Sequence, residues 1–176
     1  MKEISDSRIK CEYEYYGELW RRCAFDIGLK DASMIGRGSA VIREALSDQS
    51  VLNHGDLSHG NVLSNENGTY LIDFEFSRFS CMELDYSMVL SILLIHFGNE
   101  ELSWDQIAAE FDRICRASLD WERLKLLTCA HVVGRSNYNF DDEKVKGILT
   151  NLYHSSEIYE FREIMIQEGT YSSGEK

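Results

Sequence analysis

The stretch that decides the fold runs from Val51 to Phe76, VLNHGDLSHGNVLSNENGTYLIDFEF. Polar side chains with chemical uses are crowded here between two short apolar runs. Asp56 lies two residues after His54 and five before Asn61. Asp73 follows seventeen residues after Asp56, inside the short apolar frame LIDF. Such a frame predicts that this second carboxylate stands at the end of a β-strand.

A hairpin is expected to bring two of these polar residues together. The dipeptide Asn67-Gly68 is a strong signal for a tight turn. We therefore predict that residues 61–63 pair with residues 69–72 as antiparallel strands. The open end of this hairpin would then hold Asn61 beside Asp73.

A loop carboxylate, an amide five positions later and a second carboxylate at a hairpin end suit phosphoryl transfer. One acid orients the attacking hydroxyl and accepts its proton, while the amide and the other acid hold the magnesium that bridges nucleotide phosphates. Each residue also has a simpler interpretation, because a single Asp or Asn between strands is more often a turn or capping residue. The ordered spacing of the whole set favours the chemical interpretation.

The same residues resemble a known family. The segments HGDLSHGN at 54–61 and LIDFE at 71–75 resemble the H-x-D-x-x-x-x-N and I-D-F-E motifs of the aminoglycoside phosphotransferase and choline kinase superfamily, relatives of the protein kinases. The segment ELDYS at 83–87 is similar to the one that opens the family's next helix. Glu75 stands where protein kinases carry glycine, as is usual in the small-molecule branch.

The resemblance implies roles for five residues and two cofactors, ATP and magnesium. Asp56 is expected to be the catalytic base, and Asn61 and Asp73 the metal ligands. His54 is expected to support the catalytic loop, and Asp85 to brace it through backbone amides. Taken alone, Asp85 is also typical of a helix cap, and His54 of a structural hydrogen-bonding group. No residue is assigned to the nucleotide base.

The fold class is predicted to be α+β and mostly α-helical, a protein-kinase-like C-terminal lobe with a short catalytic β-hairpin. A chain of 176 residues suits one domain. We expect residues 1–176 to form this single lobe, with the catalytic and metal segment at 51–87, a helical part at 88–168 and a tail at 169–176. An N-terminal nucleotide lobe is expected to be absent, because no alternating strand pattern precedes the catalytic loop.

Periodic apolar residues predict a series of helices. Gly28 is placed to end the first of them. The Gly36-Arg37-Gly38 segment is not interpreted as a phosphate loop, because it has no third glycine, no preceding strand and no suitable lysine. The predicted helices cover Ser5 to Leu29, Ser39 to Leu46, Leu84 to Phe97, a stretch capped by Ser103, Leu119 to Val133, a stretch headed by Asp141, and Tyr153 to Gln167.

Composition limits partners and location. A net charge of −12 argues against binding to nucleic acid. It could attract a cationic acceptor, but an acidic surface is the favoured explanation, because the charge is dispersed along the chain. Five cysteines without a C-x-x-C pair indicate reduced thiols. There is no run of about 18 apolar residues and no signal sequence, so we expect no membrane partner and a cytoplasmic location.

Two functions remain open. In the first, the chain is an ATP- and magnesium-dependent kinase of a small-molecule hydroxyl, or the C-terminal half of one, with the nucleotide lobe supplied by another polypeptide or not included in this sequence. In the second, it is a non-catalytic kinase-like lobe that works as a binding or regulatory module. In either case an uncovered lobe face is expected to expose apolar surface, which would favour a homodimer or a nucleotide-lobe partner.

Overall fold

The protein is described by a computed structural model, which covers residues 2–96, 119–135 and 142–156. This part of the chain is mostly helical with small antiparallel sheets, so the predicted α+β class is confirmed. The predicted helix capped by Ser103 and most of the predicted last helix and tail lie outside the described residues. In chain order the elements are α1 (Lys2–Asp26), α2 (Ala32–Ser47), β1 (Val51–Asn53), β2 (Val62–Asn65), β3 (Gly68–Leu71), β4 (Arg78–Ser80), α3 (Glu83–His96), α4 (Trp121–Arg135) and α5 (Asp142–His154).

The boundary between α1 and α2 follows ordinary capping chemistry. Gly28 takes the left-handed conformation, with φ 72°, just after α1 ends, as predicted. The helix predicted from Ser39 to Leu46 lies within α2, which begins seven residues earlier than predicted, at Ala32. The Asp31 carboxylate accepts a hydrogen bond from the Ser33 amide at 2.8 Å, which caps the helix and lets α2 begin at Ala32.

Gly36 and Gly38 therefore lie inside α2, and Gly38 has a packing role. A Cβ on Gly38 would overlap the indole of Trp20, whose own exposed surface is nil. The indole Nε1 of Trp20 donates to the Ile35 carbonyl at 2.9 Å, which fixes the ring against α2. Glycine at this position thus permits close approach of α1 and α2, and the rejection of a phosphate loop agrees with this placement.

The core lies between the helices, with α4 near its centre. Helix α4 packs on α1, α2, α3 and α5. Leu124 and every residue from Leu126 to Val133 are buried. The thiols of Cys23, Cys81 and Cys129 are free and buried in this region. Burial, and next the Glu83 carboxylate, raises the pKa of Cys81 to about 12, so its thiol stays protonated at neutral pH.

Polar contacts join the helix ends around the core. The buried Glu83 carboxylate accepts the Asp120 amide at 2.8 Å, which links the start of α3 to the start of α4. Arg123 donates to Glu44 at 2.7 Å and to Asp48 at 3.2 Å, which links α4 to the end of α2. These contacts hold the start of α4 against the start of α3 and the end of α2.

The strands form two separate antiparallel ribbons, β1 with β4 and β2 with β3. In the second ribbon Asn65 pairs with Gly68, so the turn residues are Glu66 and Asn67. The predicted turn at Asn67-Gly68 was therefore one residue too late. The Asn65 side chain accepts the Asn67 amide at 2.8 Å, and this local bond sets the earlier turn.

None of the helices in the described ranges has both the length and the hydrophobicity that a bilayer span requires.

Candidate active site

The loop between β1 and β2 is held by one carboxylate. Asp85, in the first turn of α3, accepts the backbone N–H of His54 at 2.7 Å and that of Gly55 at 3.0 Å. Both oxygens of the acid are used, one for each amide. Because the two donors are consecutive, this bidentate contact fixes the peptide orientation immediately before Asp56.

His54 joins this loop to the strand that leads to Asp73. The amide of Asp56 donates to His54 Nδ1 at 3.3 Å, and His54 Nε2 lies 2.8 Å from the Ile72 carbonyl oxygen. Since the carbonyl can only accept, Nε2 carries the proton and Nδ1 does not. The buried ring is thus neutral, and it is packed against Phe74 with 4.5 Å between ring centroids.

Asp56 and Asn61 are in direct contact. The Asn61 amide nitrogen donates to the Asp56 backbone carbonyl at 2.9 Å and to its carboxylate Oδ2 at 2.9 Å. The turn between the two residues is closed by the backbone N–H of Asn61, which donates to the Ser58 carbonyl at 3.0 Å. With its nitrogen directed at Asp56, Asn61 presents its Oδ1 on the opposite side of the amide group.

Asp73 follows directly at the open end of the β2–β3 ribbon. Beyond the last paired residues, the Ile72 amide donates to the Asn61 carbonyl at 3.0 Å, so the ribbon's register continues to Asn61. Asp73 then adopts φ 62° and ψ 65°. Among the described residues it is the one non-glycine residue with positive φ. Such strain is characteristic of residues whose side chain must be directed to a functional point.

The five residues predicted for the site are therefore joined through one loop and one ribbon. Asp85 contacts His54, His54 bridges to Ile72 beside Asp73, and Asn61 contacts Asp56. Carboxylate and amide oxygens form the hard donor set that magnesium prefers. The described residues contain no cluster of three or more His, Cys, Asp or Glu side chains suited to a metal.

Gly55 was not singled out by sequence reasoning, yet the loop depends on it. Its φ is 82°, and a Cβ there would overlap the Phe76 carbonyl oxygen. The loop thus passes directly against the backbone that follows Asp73. A glycine between His54 and Asp56 was the available signal, since glycine is the residue that tolerates both positive φ and close backbone approach.

Asn53 was also missed. It is the last residue of β1, and its side chain is buried and donates to the carbonyls of Val51 at 3.2 Å and Cys81 at 3.0 Å. A polar amide at the inward position of a short strand was the signal that would have revealed it.

Apolar side chains are exposed around this site. On the first ribbon Leu52 and Phe79 are directly opposite each other, and each is 61% exposed. Nine large apolar side chains of the two ribbons and of the segment that joins them are between 36% and 61% exposed, and we call them the apolar face: Leu52, Val62, Leu63, Tyr70, Leu71, Ile72, Phe74, Phe76 and Phe79. Exposed apolar groups clustered beside polar chemistry are characteristic of an interaction surface.

Comparison with known proteins agrees with this geometry. Residues 8–127, more than half of the chain, match the model of the phosphotransferase enzyme family known as APH, and the chain belongs to that family. The predicted resemblance is thereby confirmed. No curated protein and no solved structure gave a significant match.

Proposed function

We propose that the chain is the catalytic lobe of an ATP- and magnesium-dependent kinase that phosphorylates a hydroxyl group of a small molecule. The observation that carries this proposal is the contact of Asn61 with Asp56 at 2.9 Å, in a loop that His54 links to the strand before Asp73. Membership of the phosphotransferase family supports the reaction class. We further propose that residues 1–176 form one protein-kinase-like lobe.

In this proposal Asp56 is the catalytic base. Its Oδ2 accepts a hydrogen bond from Asn61, so the carboxylate is held in one orientation and its Oδ1 is directed to the acceptor hydroxyl. Asp85 and His54 are positioning residues, because Asp85 holds the two amides before Asp56 and His54 accepts the amide of Asp56 itself. The family match and the hydrogen-bond pattern support these roles.

Asn61 and Asp73 are the proposed magnesium ligands. Asn61 would contribute its Oδ1, since its nitrogen is engaged by Asp56. Asp73 would contribute its carboxylate from the left-handed backbone position. Bound magnesium-ATP supplies the phosphoryl group and neutralises the charge that develops on it. The oxygen-only donor set fits this ion better than zinc.

A second protein segment is proposed to cover the apolar face and to complete the nucleotide site. Residues 51–87 contain one Arg or Lys, Arg78, whereas a nucleotide triphosphate requires several positive groups. The cover would bury side chains such as Leu52 and Phe79 and supply the missing cations. It belongs either to another chain or to a further part of the same polypeptide.

The proposed acceptor is a small hydroxyl compound, and a cationic one suits the net charge of −12. The same charge makes nucleic acid an unfavourable partner. A cytoplasmic location suits the free, buried thiols of Cys23, Cys81 and Cys129, because thiols stay reduced there.

Substitution of the base tests the proposal. Asp56→Asn keeps an oxygen that can accept from Asn61 but cannot take the hydroxyl proton, so phosphoryl transfer should fall by about 100-fold or more. The fold should persist, with an unchanged melting temperature. The matched control is Asp31→Asn, in which another exposed-loop carboxylate becomes an amide that still caps α2. Turnover like that of the unchanged protein in Asp56→Asn would remove Asp56 from this role.

One alternative has a specific observation behind it. The broad apolar face and the single cation in residues 51–87 also suit a non-catalytic lobe that acts as a binding or regulatory module. Calorimetric titration with magnesium-ATP distinguishes the two functions, performed with the chain alone and with the nucleotide lobe of a complete family member added. Binding that appears with the added lobe, and is lost in Asp73→Asn, supports the kinase. Silence in both settings favours the module.

A further inference from the structure

The side chain of Asn53 occupies a junction that the roles above do not explain. It lies at the end of β1, immediately before His54, and is only 2% exposed. Its amide nitrogen donates to the Cys81 carbonyl at 3.0 Å and to the Val51 carbonyl at 3.2 Å. A buried amide in a short strand carries a desolvation cost, so its retention calls for a use that an apolar side chain could not fulfil.

The bond from Asn53 to Cys81 lies next to the contact made by Asp85. Cys81 precedes α3, and Asp85 stands in the first turn of that helix. Asn53 is thus tied to one end of the segment 81–85, while the amides of His54 and Gly55 are tied to the other end. Consecutive residues of the loop are therefore attached at two separate points of one rigid segment.

The Asn53 side chain adds a restraint that the ribbon does not supply. The ladder pairs Asn53 with Arg78 and so holds the end of β1 to β4. The side-chain bond to the Cys81 carbonyl holds the same residue to the turn between β4 and α3, where Asp85 also stands, and so restricts the direction in which the chain proceeds to Asp56. Catalytic groups must be held to within a fraction of an ångström, so a small pivot is sufficient to impair transfer.

We infer that Asn53 is a positioning residue for Asp56, acting through its hydrogen bond to the Cys81 carbonyl. This inference rests on the proposed kinase function for its effect on turnover. Its structural content does not, because it concerns the mobility of the loop amides and the ring of His54.

The test compares Asn53→Leu with Ser80→Ala. Leucine has the same number and branching of side-chain heavy atoms but donates no hydrogen bond. Ser80 lies on the partner strand β4 and is fully buried. Its hydroxyl donates to the Ala45 carbonyl at 3.3 Å, so Ser80→Ala removes a hydrogen bond of the same ribbon that does not involve the loop. Both variants should lose some stability, and only Asn53→Leu should change the loop.

Two readouts separate positioning from general support. Amide hydrogen exchange at His54 and Gly55 should accelerate by about tenfold or more in Asn53→Leu under conditions of local opening. The ¹⁵N ring signals of His54, assigned with His54→Gln, should lose the pattern of an unprotonated Nδ1 and a protonated Nε2. If both quantities stay as in the unchanged protein, or change equally in Ser80→Ala, the inference is overturned.

Turnover gives a third readout wherever the unchanged protein shows phosphoryl transfer. The kcat of Asn53→Leu should fall by about 10- to 100-fold with KM nearly constant, as expected when a reacting group is misplaced. If the unchanged protein transfers no phosphoryl group even with the nucleotide lobe of a complete family member added, the kinase proposal fails, while exchange and ring signals still decide the role of Asn53. Should Asn53→Leu not fold, Asn53→Ser removes the reach to Cys81 with a smaller change in polarity, and the same readouts apply.

Discussion

The helical core and the catalytic segment are stabilised in opposite ways. In the core, Trp20, Cys23 and Leu127 have no exposed surface, and α4 is covered by four other helices. In the catalytic segment, Leu52 and Phe79 are each 61% exposed, and the loop is held by a small set of hydrogen bonds. The core is stabilised by apolar burial, whereas the loop's geometry depends on individual polar contacts.

This difference indicates how the two parts respond to change. Apolar burial is distributed over many contacts, so one substitution weakens the core without redirecting it. A hydrogen bond such as that from His54 to Asp85 has one geometry and one partner, so its loss changes both stability and direction. The following predictions test that contrast, beginning with the largest expected effect on stability.

Truncation in the core should cost most. Leu127→Ala removes a fully buried side chain from α4 and should lower the free energy of unfolding by about 2–5 kcal/mol. The matched change Leu63→Ala, on the apolar face, should alter it by less than about 0.5 kcal/mol. Urea denaturation of both variants measures the difference. Equal losses would mean that the apolar face is already covered within the chain.

Loss of the brace should be the next largest. Asp85→Ala leaves the amides of His54 and Gly55 without their charged acceptor, and should cost about 1.5–3 kcal/mol of unfolding free energy. Asp85→Asn keeps one acceptor oxygen and should cost less. Chemical denaturation gives the stability, and hydrogen exchange at the two amides gives the local effect. An Asp85→Ala protein with unchanged exchange would contradict the brace.

Acid should weaken the core through His131. Burial, and next the charges of Arg135 and Arg78, lowers the pKa of His131 from 6.5 to about 3, and its Nε2 lies 3.4 Å from the Tyr16 hydroxyl. Below pH 6.5 the unfolded chain binds a proton on His131, whereas the folded chain does not bind it until the pH approaches 3. The stability linked to neutral His131 is therefore fully present above pH 6.5 and is lost as the pH falls toward 3. Between pH 6 and pH 4 the loss should be about 1.4 kcal/mol per pH unit.

Denaturation at a series of pH values measures the slope for His131, with His131→Gln as the control. Glutamine cannot titrate, so the variant should have a shallower dependence on pH over the same interval. Parallel curves for the two proteins would show that another group causes the acid sensitivity.

Charges placed on the apolar face should have the smallest effect on stability. The double variant Leu52→Lys and Phe79→Lys should change the free energy of unfolding by less than about 0.5 kcal/mol. It should nevertheless abolish concentration-dependent self-association of the uncovered chain. Phe25→Lys, which charges an 82% exposed side chain on α1, is the control and should leave association intact. Sedimentation at several concentrations decides, and a strictly monomeric unchanged protein would contradict the prediction.

Much of the fold was predictable because local signals and packing agreed. Gly28 ended α1 as predicted, and the apolar run after Glu83 forms α3. The start of α2 was missed because Gly36 and Gly38 have low helix propensity. Tertiary packing of Gly38 on the Trp20 indole outweighs that propensity, and no periodic pattern in the sequence indicates such a contact.

The sequence indicated candidate site residues but not the contacts that join them. Spacing identified Asp56, Asn61 and Asp73, because a loop and a hairpin are local features. The contact of Asn53 with Cys81 spans 28 residues of sequence, and the turn at Glu66 depends on a side-chain bond from Asn65. Such contacts depend on the relative placement of elements, and single-sequence patterns do not contain that information.

The overlap of any Cβ at Gly55 with the Phe76 carbonyl limits what this loop can carry. Position 55 has no space for a side chain, and its φ of 82° disfavours one further. The order of this loop therefore comes from contacts made within the chain itself, namely the Asp85 carboxylate on the His54 and Gly55 amides and the close approach of Gly55 to the backbone at Phe76.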